Sequence, residues 1–389
     1  MRHTGTKAYG IRLPIINRGD KLDDIVVSSL MDASGSESIA FENGDVVGIT
    51  EAIVAKAQNN YASITDIGED VKRIFGGGTV GVVFPILSRN RFVNILKGIA
   101  LGAEKVCVLV SCPSDEVGNP IIDADTYDEV FEGAFSAPIP AAEFKRLSNN
   151  FVHPFTKLNY LDLYANVSDN VEVYVSNDPR HILQLTDNVI VGEIHTRFRT
   201  KKRLERAGAK KICTLSDILS TPSEKKGYNS DYGVLGSNIA TGEVLKLFPR
   251  DCGAFVESVQ KKLAAATGKN IEVLVYGDGA FKDPFCGIWE LADPVVSPAY
   301  TPTLGGQPSE IKLKYIAENC FAGLAPEEKN RAVTDMIRNE ADKKAYSEGT
   351  TPRKYADLLG SLCDLMSGSG DKGTPVILIK GYFDNYAAE

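Results

Sequence analysis

Hydrophobic and polar positions in the first seventy residues predict a strand, an amphipathic helix and a second strand. The opening segment 11–16 is mostly apolar and precedes a turn at Gly19 and Asp20. The next segment repeats apolar residues at helical spacing, which predicts a helix with one buried face: Leu22, Ile25, Val26 and Leu30. The turn sequence 42–45 then leads into the apolar run 46–49, which predicts a short buried strand.

Strand-like and helix-like segments alternate through the middle of the chain. From about residue 70, apolar runs follow one another with helical patterns between them, and this alternation predicts a mainly parallel sheet. The polar stretch 113–170 predicts loops, and the turn-rich stretch 221–233 predicts a boundary. The predicted strands of this region are 80–87, 105–112, 171–176, 187–194 and 210–215.

The last third of the chain predicts two further helices and two further strands. Apolar residues recur at helical spacing, and Gly268 is placed to end that helix in the left-handed conformation: Phe255, Val256, Val259, Leu263 and Ala266. The strand 271–276 follows and runs into a Gly-Asp-Gly sequence. Near the C-terminus, 355–366 predicts a helix and 375–382 a buried strand.

Composition and charge narrow the class of protein. The chain has 389 residues, enough for two or three domains at roughly 150 residues each, and 43% of them are hydrophobic. Its net charge of −8 leaves no basic face for nucleic acid, so we expect no nucleic-acid partner. The basic run 197–206 is a local exception, and it favours a solvated helix face over a phosphate-binding patch.

The cysteines and the N-terminal sequence predict in which cellular compartment the protein is found. None of the seven cysteines lies in a CxxC sequence, so they predict reduced, packed thiols and a cytoplasmic protein. The N-terminus lacks the apolar stretch of a signal peptide, and no segment approaches the ~20 apolar residues of a membrane span. We therefore expect no membrane association.

Asp278 is the best single candidate for chemistry. It follows a predicted buried strand, where open α/β sheets place their ligands, and it is flanked by Gly277 and Gly279. The glycines would let main chain approach phosphate oxygens, and the carboxylate could hold Mg²⁺ or Mn²⁺. Taken alone, however, the tripeptide favours an ordinary β-turn.

Other polar residues offer weaker signals. Ser237 and Asn238 lie in a glycine-bearing turn that could bind phosphate, although such residues also occur in ordinary loops. Glu51 and Lys56 follow the strand 46–49; they could serve as ligand and phosphate partner, or form an exposed surface pair. His195 ends a predicted strand, a position that favours an ordinary surface histidine.

The run Gly76–Gly78 lacks the GK[ST] sequence of a Walker loop. It favours a hinge or a tight turn.

Three blocks of sequence, in order, resemble the coenzyme F-420-0:L-glutamate ligase (γ-glutamyl ligase) family. The first is GIRLPIINRGDKLDDIV with ENGDVVGITEAIVAKAQ, and the third is YADLLGSLCDLMSGSGDKGTPVILIKGY. The second, more specific block runs from GVLGSN to YGDGAFKDP. Its matching positions are Gly233, Val234, Ser237, Asn238, Leu247, Pro249, Asp251, Gly268 and Asp278.

The sequence also departs from the family pattern. Leu235 stands where the family has a metal-binding aspartate, and Gly277 and Gly279 replace two hydroxyl residues around Asp278. The family's G-R-P sequence is stretched here into a segment that contains Lys282. The middle of the chain shows no match to the family's motifs.

The resemblance implies an α/β (α+β) fold in which a ligase-like core is interrupted by an inserted α/β domain. Residues 1–70 and 226–389 would form the core, and 71–225 the insertion. The implied reaction joins a carboxylate substrate to an amino acid such as L-glutamate through an acyl phosphate. It would use GTP or another nucleoside triphosphate with Mg²⁺ or Mn²⁺. A homodimer is implied as well.

The resemblance also implies roles for particular residues. Asp278, Asn238 and Lys56 would be catalytic, and Asp278 would bind the metal. Glu51 stands in place of the family's usual residue, and its own carboxylate makes it a second candidate metal ligand. The nucleotide would contact a further set: Ser237, Gly277, Gly279, Asp251 and Lys282. Because Leu235 removes one metal ligand, the alternative is a weakened relative that binds a nucleotide or metabolite without ligating it.

Overall fold

The computed structural model divides the chain into two compact units. The first comprises 1–57, 251–278 and 294–389, and the second 58–250 and 279–293. The structure describes residues 4–115, 118–130, 136–148, 151–153, 156–277, 281–282, 289–290, 296–339, 347–348, 351, 353–368 and 371–388.

The strands and helices are numbered in chain order. The strands are β1 (Lys7–Ile11), β2 (Val46–Thr50), β3 (Tyr61–Ser63), β4 (Thr79–Val83), β5 (Lys105–Val110), β6 (Ile139–Pro140), β7 (Val171–Val175), β8 (Asn188–Val191), β9 (Lys211–Thr214), β10 (Asn238–Thr241), β11 (Val244–Lys246), β12 (Glu272–Gly277), β13 (Phe281–Lys282), β14 (Trp289–Glu290), β15 (Val296–Tyr300), β16 (Glu310–Ile311), β17 (Ser347–Glu348) and β18 (Val376–Lys380). The helices are α1 (Leu22–Glu37), α2 (Glu51–Ala57), α3 (Ile64–Phe75), α4 (Arg89–Leu101), α5 (Ala124–Val130), α6 (Ala141–Leu147), α7 (Tyr160–Ala165), α8 (Arg197–Ala207), α9 (Cys252–Thr267), α10 (Leu313–Asn319), α11 (Pro326–Arg338) and α12 (Tyr355–Met366).

The first unit is built on a mixed sheet with the strand order β1-β18-β2-β12-β15. The central pair β2 and β12 is parallel, and the other neighbours are antiparallel. Helices α1 and α9 cover one face and α12 the other, because alternate strand residues point to opposite sides. Gly268 ends α9 with φ +69°, which confirms the predicted left-handed cap.

The second unit contains a six-stranded sheet with the order β6-β7-β5-β4-β8-β9. All of its neighbouring pairs are parallel except β6 with β7, which confirms the predicted mainly parallel sheet. Apolar residues of α4 pack on one face and Leu204 of α8 on the other. The unit is therefore a doubly wound α/β sheet.

The stretch 113–170 is less irregular than its composition predicts. It contains α5, α6 and α7, each of six or seven residues. Helices of fewer than two turns show too few repeats for the hydrophobic period to be read. The interpretation of this stretch as loops was therefore wrong for these three segments.

The bounds of the compact units differ from those of the predicted domains. Residues 58–70 and 226–250 group with the middle of the chain. The reason is a small antiparallel sheet in which β3 pairs with β11 and β11 with β10. That pairing joins the two flanks of the middle region, and the interpretation of 71–225 as an insertion stays a prediction.

Candidate functional site

The parallel strands β2 and β12 bring two predicted site positions to the same edge of the first unit's sheet. Thr50, the last residue of β2, lies opposite Tyr276, so the residues that follow this pair are Glu51, which begins α2, and Gly277, which ends β12. Adjacent strands are ~4.8 Å apart, and their carboxyl ends meet at one edge. Asp278 and Gly279 follow in the sequence but lie outside the described residues.

Glu51 is a buried carboxylate at the start of α2. It is 4% exposed, and the preceding residue is anchored because Thr50 donates its N–H to the Pro375 carbonyl at 3.1 Å. Glu51 also lies near Cys252, the first residue of α9. Burial, together with the nearby carboxylates of Glu51 and Asp251, raises the pKa of the Cys252 thiol to about 12. Glu51, Asp251 and Cys252 are thus electrostatic neighbours.

Asp251 occupies the position that precedes α9. Its φ of +54° is in the left-handed region, and its carbonyl accepts the N–H of Phe255 at 3.2 Å. The side chain makes no capping hydrogen bond and is exposed. The Asp251 carboxylate is therefore placed at the positive end of the α9 dipole and open to a ligand.

Lys56 is half-buried in α2, and its amine forms no hydrogen bond or ion pair with any residue that the structure describes. Lys56 lies five positions after Glu51, so the two side chains leave the helix about 140° apart. The helix therefore does not bring them together on one face.

Ser237 and Asn238 lie in the second unit, where Ser237 ends the turn before β10 and Asn238 is the first residue of that strand. They are 1% and 5% exposed. Within the described ranges, the Ser237 Oγ and the Asn238 Oδ1 have no hydrogen-bond partner. Buried polar atoms are paired in the great majority of cases, so these two oxygens are distinguished from an ordinary loop.

Two glycines set the shape of that turn. Gly233 has φ +52°, and a Cβ there would lie 2.4 Å from the Ile218 carbonyl oxygen. Gly236 has φ +77°, and a Cβ there would lie 2.5 Å from the Phe248 ring. The close approach of main chain and ring therefore requires glycine at both positions.

Between these glycines, Leu235 is a core residue. It is 6% exposed and belongs to an apolar cluster of the second unit with Leu215, Ile218, Leu245 and Leu247. The position at which the resemblance implied a metal-binding aspartate therefore provides packing and no ligand group.

For Lys282, the structure describes the position of the main chain. It lies in β13, which pairs with β14. Taken together, the structure brings Glu51 beside Gly277 and near Asp251 in the first unit, while Ser237 and Asn238 belong to the second unit.

The fit to a divalent metal can be tested on the described part of the chain. There, no group of three or more His, Cys, Asp or Glu side chains is arranged to hold a metal ion. Glu51 and Asp251 offer carboxylates that could bind a metal ion. Leu235, at the position of the family's metal-binding aspartate, is apolar and offers none. The described residues do not by themselves complete a metal centre.

Sequence reasoning missed one buried charge cluster in the first unit. Asp45, 1% exposed, accepts from the Lys380 amine at 2.7 Å and from the Glu42 N–H at 2.9 Å. Burial raises the pKa of the Asp45 carboxyl. The cluster ties the start of β2 to the end of β18, and the sequence separation of 335 residues hid it.

Weaker candidates have structural explanations. Gly76, with φ +86°, ends α3 and donates its N–H to the Lys72 carbonyl at 2.8 Å, which confirms a tight turn in that glycine run. The basic run forms most of α8, and His195 is exposed just before it. None of the helices in the described ranges combines the length and hydrophobicity that a bilayer crossing requires.

The family model for F420-0:gamma-glutamyl ligase matches residues 10–381. No curated protein gives a significant match. Among solved structures, the biosynthetic arginine decarboxylase of Campylobacter jejuni has 10% identity and a TM-score of 0.15, over 90% of this chain and 65% of that one. The chain thus spans less than two thirds of that structure, and so low a TM-score carries no argument.

Proposed function

Because the chain belongs to the F420-0:gamma-glutamyl ligase family, we propose that it joins a carboxylate substrate to an amino acid such as L-glutamate. The reaction would consume a nucleoside triphosphate, which would be GTP or a similar nucleotide. The family match supports γ-glutamyl ligation as the reaction class. The nucleotide, the divalent ion and the acceptor are parts of the proposal.

The proposed reaction has two balanced steps. A carboxylate oxygen of the acceptor bonds to the terminal phosphorus while the bond to the nucleoside diphosphate breaks, which gives an acyl phosphate. The amine nitrogen of the amino acid then bonds to the acyl carbon. The carbon–oxygen bond to phosphate breaks, phosphate leaves, and the amine gives up a proton.

The observation that carries the proposal is the common edge formed by β2 and β12. Glu51 begins α2 directly after β2, Gly277 ends the neighbouring parallel strand β12, and Asp278 is the next residue in the sequence. Open α/β sheets bind their ligands at this position because loops and helix N-termini diverge from it. A carboxylate held there is suited to accept a hydrogen bond from the incoming amine.

A bound Mg²⁺ or Mn²⁺ would supply charge neutralisation at the phosphates, with Asp278 and Glu51 as its proposed ligands. Lys56 would add a point charge, since its amine is uncommitted within the described chain. In the second unit, taken by itself, the Ser237 hydroxyl is proposed to donate to an anionic oxygen of a ligand, and the Asn238 side-chain oxygen to accept from a ligand N–H. Their lack of partners among the described residues supports these roles.

One observation favours a second candidate function. Leu235 is packed in the apolar cluster, so one carboxylate of the family's metal site is missing. The chain would then bind a nucleotide or metabolite without ligation.

The test measures product and binding on the same protein. The chain is incubated with GTP, Mn²⁺, L-glutamate and a panel of carboxylic acids, while amide products are followed by mass spectrometry and GDP by chromatography. We expect acceptor-dependent GDP release, and Glu51→Gln should lower its rate by about 100-fold. The matched control Glu257→Gln, on the exposed side of α9, should leave the rate unchanged.

The two candidates differ in this assay. GTP binding by calorimetry without amide or GDP would favour the binding protein. Absence of both binding and turnover would contradict both.

A further inference from the structure

A groove runs beside the edge strand β1 of the first unit, between this strand and α1. Its volume is about 1290 Å³. Within the described chain, β1 pairs with β18 on one side and with no strand on the other. One face of α1, rich in small and polar side chains at helical spacing, forms the opposite wall: Ser29, Asp32, Ala33, Ser36 and Glu37.

The shape of the groove fits an extended chain better than a compact small molecule. Its volume exceeds the roughly 300–1,000 Å³ of small-molecule sites. The five residues of β1 span about 17 Å at ~3.3 Å per residue. The outer edge of β1 presents main-chain N–H and C=O groups, which can pair with an added strand. The strand contains no proline that would prevent such pairing.

The end of the groove that follows β1 is cationic. Arg12 and Lys372 line it on either side of the hydrogen bond from the Leu13 N–H to the Gly373 carbonyl, 3.1 Å long. Both side chains are exposed, and neither forms an ion pair with a residue in the described ranges. Two uncommitted cations at one end are suited to bind a carboxylate.

The opposite end of the groove has a different charge. Lys380, opposite Lys7 in the sheet, is already paired with Asp45 at 2.7 Å and Glu42 at 3.4 Å. At this end Lys7 therefore remains as a cation that is unpaired within the described ranges. The groove also has an acidic residue, Glu37, which forms no ion pair with a basic residue in the described part of the chain. The charge difference gives the groove a direction, with the carboxylate-binding end at Arg12.

We propose that this groove binds the C-terminal segment of another polypeptide, which adds to β1 as a parallel strand. The terminal carboxylate is held by Arg12 and Lys372, so the peptide runs in the same direction as β1. Side chains that point towards α1 meet Ser29, Ala33 and Ser36, where small residues leave room for bulky groups. The proposed docking uses neither Glu51 nor Asp278, and it goes beyond the proposed ligase function.

The chain's own C-terminal tail is committed elsewhere in the same unit. Ala387 packs against the apolar cluster of Ile316, Val333 and Ile337, and its carbonyl accepts from the Arg338 guanidinium at 3.4 Å. A segment from another polypeptide is therefore the occupant that the geometry favours.

The test uses two immobilised libraries of random hexapeptides, identical except that one ends in a free carboxylate and the other in an amide. We expect the full chain to capture at least about tenfold more sequences from the free-acid library, because only a free carboxylate accepts charge-assisted hydrogen bonds from both Arg12 and Lys372. Captured peptides should slow hydrogen exchange at the β1 amides.

Arg12→Gln with Lys372→Gln should abolish the preference for the free acid, and Arg12→Lys should retain it. The matched control Lys261→Gln, on the exposed face of α9, should behave like the parent. Equal capture of acid and amide, or no capture, would overturn the proposal. So would a dimer in sedimentation that the Arg12/Lys372 variant dissociates, since a second copy would then occupy the groove.

Discussion

At the residue scale, the family motif at 233–238 contains two kinds of position. Some residues pack in the apolar core, and others bury a polar atom that has no partner among the described residues. Leu235 and the two glycines around it are fixed by contacts with the core of the second unit. Ser237 and Asn238, next to them in the chain, bury oxygens that have no partner among the described residues. The same short segment therefore combines residues that pack in the core with two that bury unpaired oxygens.

The first prediction concerns Leu235. Leu235→Asp should lower the free energy of unfolding by about 3 kcal/mol or more, because a carboxylate would enter an apolar cluster. It should not create Mn²⁺ binding, since the side chain points into the core. Urea unfolding and calorimetry measure the two effects. Leu235→Asn is the neutral control of the same shape; Mn²⁺ binding gained by Asp and absent with Asn would contradict the packing role.

The second prediction concerns Asp278. If it is the metal ligand that the resemblance implies, Asp278→Asn should abolish Mn²⁺-dependent nucleotide binding and leave the melting temperature nearly unchanged. A turn aspartate that accepts main-chain hydrogen bonds would instead lose roughly 1 kcal/mol of stability with unchanged binding. Calorimetry and a thermal melt on the same variant distinguish these results. Unchanged affinity would end the assignment of Asp278 as a ligand.

At the element scale, the strength of the local pattern decided what the sequence could predict. The long apolar runs of β5 and β12 are buried along nearly their whole length, and both were predicted. The sheet of β3, β11 and β10 was missed, because its strands have three or four residues and β3 pairs with a segment about 180 residues away. Pairing over such distances depends on tertiary packing, which local periodicity does not record.

The candidate site shows the same limit. The position of Asp278 after a strand could be read from the sequence, and so could Glu51 after β2. The sequence did not reveal that β2 and β12 are parallel neighbours, because strand order is set by packing across the whole unit. The buried state of Ser237 and Asn238 also depends on contacts of their turn with distant residues such as Ile218.

The third prediction concerns Asp178, which precedes the 3₁₀ turn Pro179–Gln184. It accepts from the Arg180 N–H at 3.0 Å, and the Arg180 guanidinium holds the pKa of its carboxyl at about 2. The folded-state pKa lies below the ordinary value of 3.8, so this stabilisation is present above pH 4 and is lost as the pH falls towards 2. Asp178→Asn should therefore destabilise the chain at pH 7 by at most about 1 kcal/mol, given solvent screening.

Urea unfolding at pH 7, 4 and 3 measures this effect. The difference between parent and Asp178→Asn should shrink with falling pH, while the exposed control Asp128→Asn should show little difference at pH 7. A difference that is constant across the range would contradict the ion-pair explanation.

At the scale of the whole molecule, the chain enters and leaves the second unit twice, at 57/58 and 250/251 and again at 278/279 and 293/294. The family match at 10–381 extends through both units. The homodimer implied by the resemblance stays a prediction for the whole chain. Light scattering across micromolar concentrations should give twice the 42.1 kDa chain mass, and a monomer throughout that range would contradict it.

The last prediction concerns independent folding of the second unit. Its two apolar clusters lie wholly within residues 62–247, and its six-stranded and three-stranded sheets use strands from β3 to β11. The fragment 58–250 should therefore fold alone and unfold cooperatively in urea. The first unit cannot be cut in the same way, because β2 pairs with β12 and β18 from the far end of the chain.

The fragment to compare with 58–250 is 71–225, which has the bounds of the inserted domain predicted from the resemblance. It lacks β3, β10 and β11 and the first half of α3, so it loses buried residues such as Ile67, Leu245 and Leu247. Each lost leucine or isoleucine costs about 2–5 kcal/mol, so the three together cost about 6–15 kcal/mol, as much as the whole 5–15 kcal/mol stability of a typical domain. We expect 71–225 to lack a cooperative transition. If it unfolds as cooperatively and at as high a urea concentration as 58–250, the domain bounds inferred from the sequence describe the folding unit better than the contacts do.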